Sequence, residues 1–279
     1  MQASSGTRAE ANDRPSPCQG RLRVVSSKPV GPSQSSEAII LRSRSYGESD
    51  KIVSFLTADA GKLTGIAKGA KNSRRRFANC LDALTRVRVH FRVRVGASLV
   101  FMDSCDLLQP PGELADPAKF AYGSYLTELV DQLTAEAHPV SELYALLAEG
   151  LEELRNGAAT AAFLRGFELR LLQCSGYAPE FQHCVRCHRA LQLVERAFLD
   201  PAQGSLICAG CRVLGESLVP VACQTLSALE AIRAAPLGDV RMRRFSAATA
   251  AEAAQLMGHL LALHLPRPLR STKLIAALS

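Results

Sequence analysis

Four cysteines stand in two pairs: Cys184 and Cys187, then, after twenty residues, Cys208 and Cys211. A two-residue spacer lets both thiolates of a pair turn toward one metal ion. Two such pairs complete a tetrahedron, the arrangement of four-cysteine zinc ribbons. The protein would fill all four positions and leave none for a substrate, so one bound Zn2+ would be structural. The turn Gln203-Gly204-Ser205 would fold one pair back on the other. His183 and His188 flank the first pair and are alternative ligands, and a redox pair is the other chemistry open to such cysteines. Cys18, Cys80, Cys105, Cys174 and Cys223 lack that pairing and read as small apolar residues or incidental thiols.

A second constellation is basic. In residues 86–95, Arg86, Arg88, His90, Arg92 and Arg94 alternate with Val87, Val89, Phe91, Val93 and Val95. A strand with that pattern puts its cations on one face, about 6.6 Å apart, and its apolar residues on the other. Cations in such a row repel one another and favour an anionic partner. Lys62, Lys68, Lys71, Arg74, Arg75 and Arg76 add a basic strand and loop just before it. Lysine and arginine neutralise phosphates and release counterions, which drives binding without regard to base sequence. Tyr46, Phe55, Phe77 and Phe101 are candidates for stacking on bases, or else core residues.

Catalytic signatures are absent. The run Gly65-Ile-Ala-Lys-Gly69-Ala-Lys71 has the wrong spacing for a phosphate loop, and Asn72 stands where Ser or Thr would hold magnesium. Asp103 and Asp106 read as a strand end rather than an acid–base pair. The signatures of several enzyme classes are thus missing, and the basic constellation favours binding.

The elements that would position these groups follow from the rest of the chain. It has 279 residues, 47% hydrophobic and 21% charged, with no Trp and 5% aromatics, so its core rests on aliphatic residues. The net charge of +7 is uneven: residues 37–108 carry 13 basic and 7 acidic groups (+6), whereas residues 109–175 carry 4 and 10 (−6). No apolar run reaches membrane-spanning length and no secretory signal is visible, which places the protein in the reducing cytoplasm. Residues 1–36, rich in Ser, Pro, Arg and Gln, read as a disordered extension. Residues 37–110 show five strands, at 38–41, 52–56, 62–70, 86–95 and 98–105, with turns at Tyr46-Gly47-Glu48, Asp59-Ala60-Gly61 and Gly96. Five short strands suit a closed barrel of the oligonucleotide-binding (OB) type. Pro110-Pro111-Gly112 ends it, and Asp116-Pro117 starts a helix. Residues 111–279 read as a helical domain, with breaks at Asn156-Gly157 and Gly176, late helices at 223–235, 246–265 and 269–278, and the cysteine segment inserted at about 177–215. The fold class is therefore α+β.

Several short runs resemble the bacterial recombination mediator family RecO. They are Ile39-Ile40-Leu41, Tyr46-Gly47-Glu48-Ser49-Asp50, Gly61-Lys62-Leu63 and Lys68-Gly69-Ala70-Lys71 near the start. Later come Gly176-Tyr177-Ala178-Pro179 before Cys184, and Arg267-Pro268-Leu269-Arg270-Ser271 at the end. Their order over residues 37–277 resembles the family, although the long head departs from it. The resemblance implies an OB domain, a helical domain and a zinc segment. It implies a non-enzymatic DNA repair protein, associated with the nucleoid, that binds single- and double-stranded DNA and anneals complementary strands. It further implies a partner, RecR, with which the protein helps load RecA onto strands coated by single-strand-binding protein (SSB).

Together, the residues and the resemblance assign DNA contact to Lys62, Lys68, Lys71, Arg74, Arg75, Arg76, Arg86, Arg88 and Arg92. The helical domain would meet protein partners such as the acidic SSB tail, with Arg241, Arg243 and Arg244 as a candidate patch. Two other classes fit the same residues: an OB and zinc-ribbon factor for RNA or transcription, and a nuclease or ligase accessory.

Overall fold

The computed structural model describes residues 31–93, 98–136 and 141–277. Most of the expected extension (residues 1–30), Cys18, Arg94, Val95 and the turn at Gly96 lie outside the described residues. Five strands close into a barrel: β1 (Gln34–Tyr46), β2 (Asp50–Thr57), β3 (Gly61–Ala67), β4 (Arg86–Arg92) and β5 (Val100–Gln109). Neighbours run β1-β2-β3-β5-β4 and back to β1, antiparallel except for the parallel pair β3–β5. That order is the Greek-key barrel of the OB fold. β1 begins three residues inside the segment read as an extension, because Ser36 is buried and bonds to Asp59 at 2.8 Å.

Alternation dictates the barrel's interior. Val87, Val89 and Phe91 of β4 point inward with Phe55, Leu63 and Met102, and the rings of Phe55 and Phe91 meet edge to face at 6.2 Å. Phe55 and Phe77 are thus core residues, while Tyr46 is exposed. Val93 falls past the end of β4 and is exposed, contrary to the inward position its alternation suggested. Gly65 lies within β3, so the resemblance of its run to a phosphate loop ends there.

The outer face of the barrel packs on helices. α1 (Pro117–Leu133) starts at Asp116, whose carboxylate accepts from the Ala118 and Lys119 amides. α2 (Ser141–Asn156) and α3 (Ala161–Cys174) follow, and Ile39, Leu41 and Leu56 of the barrel join their core around Leu126, Phe163 and Phe167. Leu84, held at φ +68°, reaches out of the β3–β4 loop into that core, against Gly123 of α1. A bulky residue rarely adopts this conformation, so the packing it gains must offset the strain.

Between α3 and α4 (Cys223–Arg233) lies a small sheet of β6 (Arg196–Asp200), β7 (Ser205–Cys208) and β8 (Val219–Ala222), in the order β7-β6-β8. α5 (Leu237–Met242), α6 (Ala247–Ala262) and α7 (Ser271–Ala276) complete the domain. None of the described helices is long and apolar enough to cross a membrane.

Candidate nucleic-acid interface and metal centre

The basic loop after β3 is built by hydrogen bonds to the β1–β2 turn. Asp50 accepts from the Gly69 amide at 2.8 Å, and that bond lowers the Asp50 pKa against the opposing effect of burial. The Lys71 amide donates to the Ser49 carbonyl, and its ammonium to the Gly47 carbonyl at 2.9 Å. Arg76 donates to the Lys68 carbonyl and lies over the Phe77 ring. These bonds leave Lys68, Lys71, Arg74, Arg75 and Arg76 exposed around one end of the barrel. Arg74 and Arg75 make no ion pair or hydrogen bond among the described residues.

The basic face of β4 differs from the expectation of mutually repelling cations. β1 and β5 flank it and supply carboxylates. Arg86 and Arg88 share Glu37, at 2.7 and 3.3 Å; His90 meets Asp106 at 2.8 Å; Arg92 meets Asp103 at 2.8 Å. The hydrogen bond from Arg86 holds the Glu37 carboxyl below the usual range. Glu37 faces Arg88 through the β1–β4 register, which links residues far apart in sequence. Glu37 is not among the expected residues; its place two residues before Ile39 on the alternating strand β1 puts it on the outer face, but its basic partners follow only from the register.

Lys62 departs furthest from the expected DNA contacts. It points out of the barrel toward α1, where it donates to the Asp131 carbonyl and stands 3.4 Å from the Asp131 carboxylate. At 12% exposure its side chain ties two domains together and is closed to a phosphate. Arg241 is likewise engaged, at 2.9 Å from Glu153 of α2, which leaves Arg243 and Arg244 of the candidate patch exposed.

The four cysteines converge. Cys184, Cys187, Cys208 and Cys211 place their sulfurs within 4.8 Å of one another, and Cys187 and Cys208 are 3.6 Å apart. The Val185 amide bonds to Leu206 of β7 at 3.0 Å, which lays the first pair on the end of the strand that carries the second. The β6–β7 turn needs Gly204 at φ +68°, where a Cβ would meet Leu263 at 2.7 Å. Burial opposes a thiolate at Cys184, yet amides of Cys208, Cys187 and Arg186 converge on its sulfur and bring its pKa to about 6. Cys211 is pushed up to about 12, first by hydrogen bonds shared with Cys187 and Cys208 and then by burial.

One thiolate therefore discourages the next, and a cation at the centre would relieve that repulsion. A tetrahedron with arms of about 2.3 Å has edges of about 3.8 Å, close to the sulfur spacing here. The four thiols thus form a set that can hold a metal ion. His183 and His188 lie outside the set. His183 instead pairs with Ala190 in a β-bridge, and the His188 amide bonds to the Cys184 carbonyl.

Comparison with known proteins bears on both halves. Residues 33–111 match the family model described as "Recombination protein O N terminal", and residues 114–273 match "Recombination protein O C terminal". The DNA repair protein RecO of Anaeromyxobacter sp. (strain K) is 33% identical over 238 residues, covering 85% of this chain and 93% of that one. Its counterpart in Syntrophus aciditrophicus (strain SB) is 32% identical over 242 residues, 86% and 93%. That of Myxococcus xanthus (strain DK1622) is 38% identical over 200 residues, 71% and 80%. With barrel and helical domain matched in order, the chain belongs to the RecO family of DNA repair proteins.

Proposed function

We propose that this protein is a recombination mediator that acts by holding DNA strands and carries out no covalent chemistry. The observation that carries the reading is the exposed loop of residues 68–76, braced against the β1–β2 turn, with Arg74 and Arg75 committed to no protein group among the described residues. Its five cations would neutralise phosphates of single- or double-stranded DNA whatever the sequence. Arg86, Arg88 and Arg92 join the same interface where a phosphate displaces Glu37 or Asp103. Neutralised strands approach each other more easily, which is the physical requirement of annealing.

The helical domain serves protein partners. An apolar groove of about 640 Å³ between α3, α6 and residues 265–275, with Leu164, Leu261 and Leu269 in its walls and Arg267 beside them, suits the acidic tail of SSB. RecR binding and help in loading RecA on SSB-coated strands complete the role in the reducing, nucleoid-containing cytoplasm. The four cysteines would hold one zinc ion. Bound there, zinc supplies a fold constraint and no reaction, while Cys184 and Cys208 anchor it from buried positions.

The test is annealing of complementary strands, with and without SSB, without nucleotide or magnesium. Annealing of SSB-coated strands together with unspecific DNA binding supports the reading. Preference for RNA over both DNA forms, or magnesium-dependent cleavage, overturns it in favour of an RNA-binding factor or a nuclease accessory.

A further inference from the structure

A second basic site lies where the barrel meets the helical domain. Arg42 of β1, Arg267 and Arg270 line a cavity of about 350 Å³ with Asp131 and Glu128. Arg42 approaches the Asp131 carboxylate to 3.6 Å and Arg267 to 3.9 Å. Contacts this long are ion pairs without good hydrogen bonds. Among the described residues, the only side-chain hydrogen bond of these three guanidiniums is a 3.4 Å contact from Arg42 to Ser54. Each guanidinium offers five donors, so most of theirs stay unused.

The layering of charge matters more than its sum. The Asp131 side chain is 10% exposed, whereas those of Arg42 and Arg267 are each 52% exposed. The acid lies beneath and the cations face water. Glu128 is also engaged, accepting from the Arg270 and Ser271 amides and the Ser271 hydroxyl. On β4, by contrast, Asp106 is more exposed than its partner His90, so acid and base reach water together.

The site is continuous with the basic loop. Arg42, Arg44 and Tyr46 lie opposite Ser54, Ile52 and Asp50 on β2, which puts all three on the outer face of β1. Tyr46 abuts the turn that Lys71 grips, and from there to Arg42 the strand runs about 13 Å. That span is about four phosphates of one duplex strand.

We propose that Arg42, Arg267 and Arg270 form a second binding site for the phosphate backbone of DNA, extending the loop interface across the domain boundary, with the Asp131 carboxylate as a competitor that the phosphate displaces. The inference rests on the DNA-binding reading above and names a further part of the same interface. It makes an uncommon prediction: removing an acid without unfolding the junction should tighten binding. Asp131→Asn is suited to this, because Lys62 also donates to the Asp131 main-chain carbonyl, which the substitution retains.

The experiment is fluorescence anisotropy of a labelled 40-nucleotide single strand across a salt series, on the full chain, with melting temperatures as the folding control. D131N should bind about two- to fivefold more tightly, the scale of a partly exposed ion pair. The exposed double variant R42A/R270A should bind more weakly and flatten the salt slope by about 1.4, two phosphates of a single strand. Unchanged affinity in both variants, while R74A/R75A loses affinity, overturns the second site and leaves the loop interface standing. Unchanged affinity in all three overturns the loop interface as well.

Discussion

Lys62 and Asp131 lie 69 residues apart and face each other across the boundary of the two domains, the ammonium 3.4 Å from the carboxylate. The pair is nearly closed to water, and Lys62 adds a bond to the Asp131 carbonyl. It fastens the barrel to the helices.

Replacing Lys62 by Met should therefore act on stability before it acts on DNA. The variant keeps the apolar stem and leaves Asp131 with two more distant cations. A loss of about 1–3 kcal/mol is expected, the scale of removing one partner from a charged hydrogen bond. Denaturant melts give that number. DNA affinity equal to the parent's, in buffer where both are folded, would confirm that Lys62 is no phosphate ligand.

Loop and strand should separate in a salt series. Replacing Arg74 and Arg75 by Ala should flatten the single-strand slope by about 1.4. Replacing Arg86 and Arg88 frees Glu37 from both partners, so about half that change or less is expected, with a small loss of stability. Equal effects from the two variants would mean that Glu37 yields its arginines readily to phosphate.

Metal analysis of the purified protein should find one zinc per chain. Cys187→Ser or Cys208→Ser should lower stability by about 3 kcal/mol or more, because metal binding and local folding are one process. Hydrogen exchange should place the loss in residues 177–222, with the barrel unaffected. Protein that carries no metal and whose four thiols react freely would overturn the assignment.

Acid should loosen the C-terminal segment. Burial raises the Glu128 pKa, but the amides and hydroxyl of Arg270 and Ser271 outweigh it and hold the carboxyl below its usual 4.5. A folded pKa below the unfolded one contributes stability that is complete above 4.5 and is lost as pH falls through the lowered value. Exchange protection at residues 267–277 should thus be equal at pH 7 and 6 and drop in strong acid. Glu128→Gln should weaken that protection at pH 7.

The sequence made local relationships legible. Two-residue spacing sufficed for the cysteine site, because each pair is its own geometry. Period-two alternation sufficed for the inner face of β4, and Asp116-Pro117 marked the start of α1. Partnerships set by register or domain packing were hidden. Glu37 meets Arg86 and Arg88 only because β1 lies beside β4, and Lys62 meets Asp131 only because α1 crosses β3. A cation's charge is legible in sequence, whereas its vacancy is not. The short elements β6, β7, β8 and α5, four to six residues each, carry too few periods to stand out.

The clasp of Glu128 on Arg270 and Ser271 also sets an order of events during synthesis. The ribosome delivers those two residues 142 and 143 positions after Glu128. At about 5–20 residues per second the delay is on the order of ten seconds. Through that interval the residues of the barrel, the loop at 68–76 and α1 are already made, Lys62, Arg42 and Asp131 among them, while Arg267 comes only near its end. The exposed basic loop is therefore synthesised well before the segment that closes on Glu128 of α1.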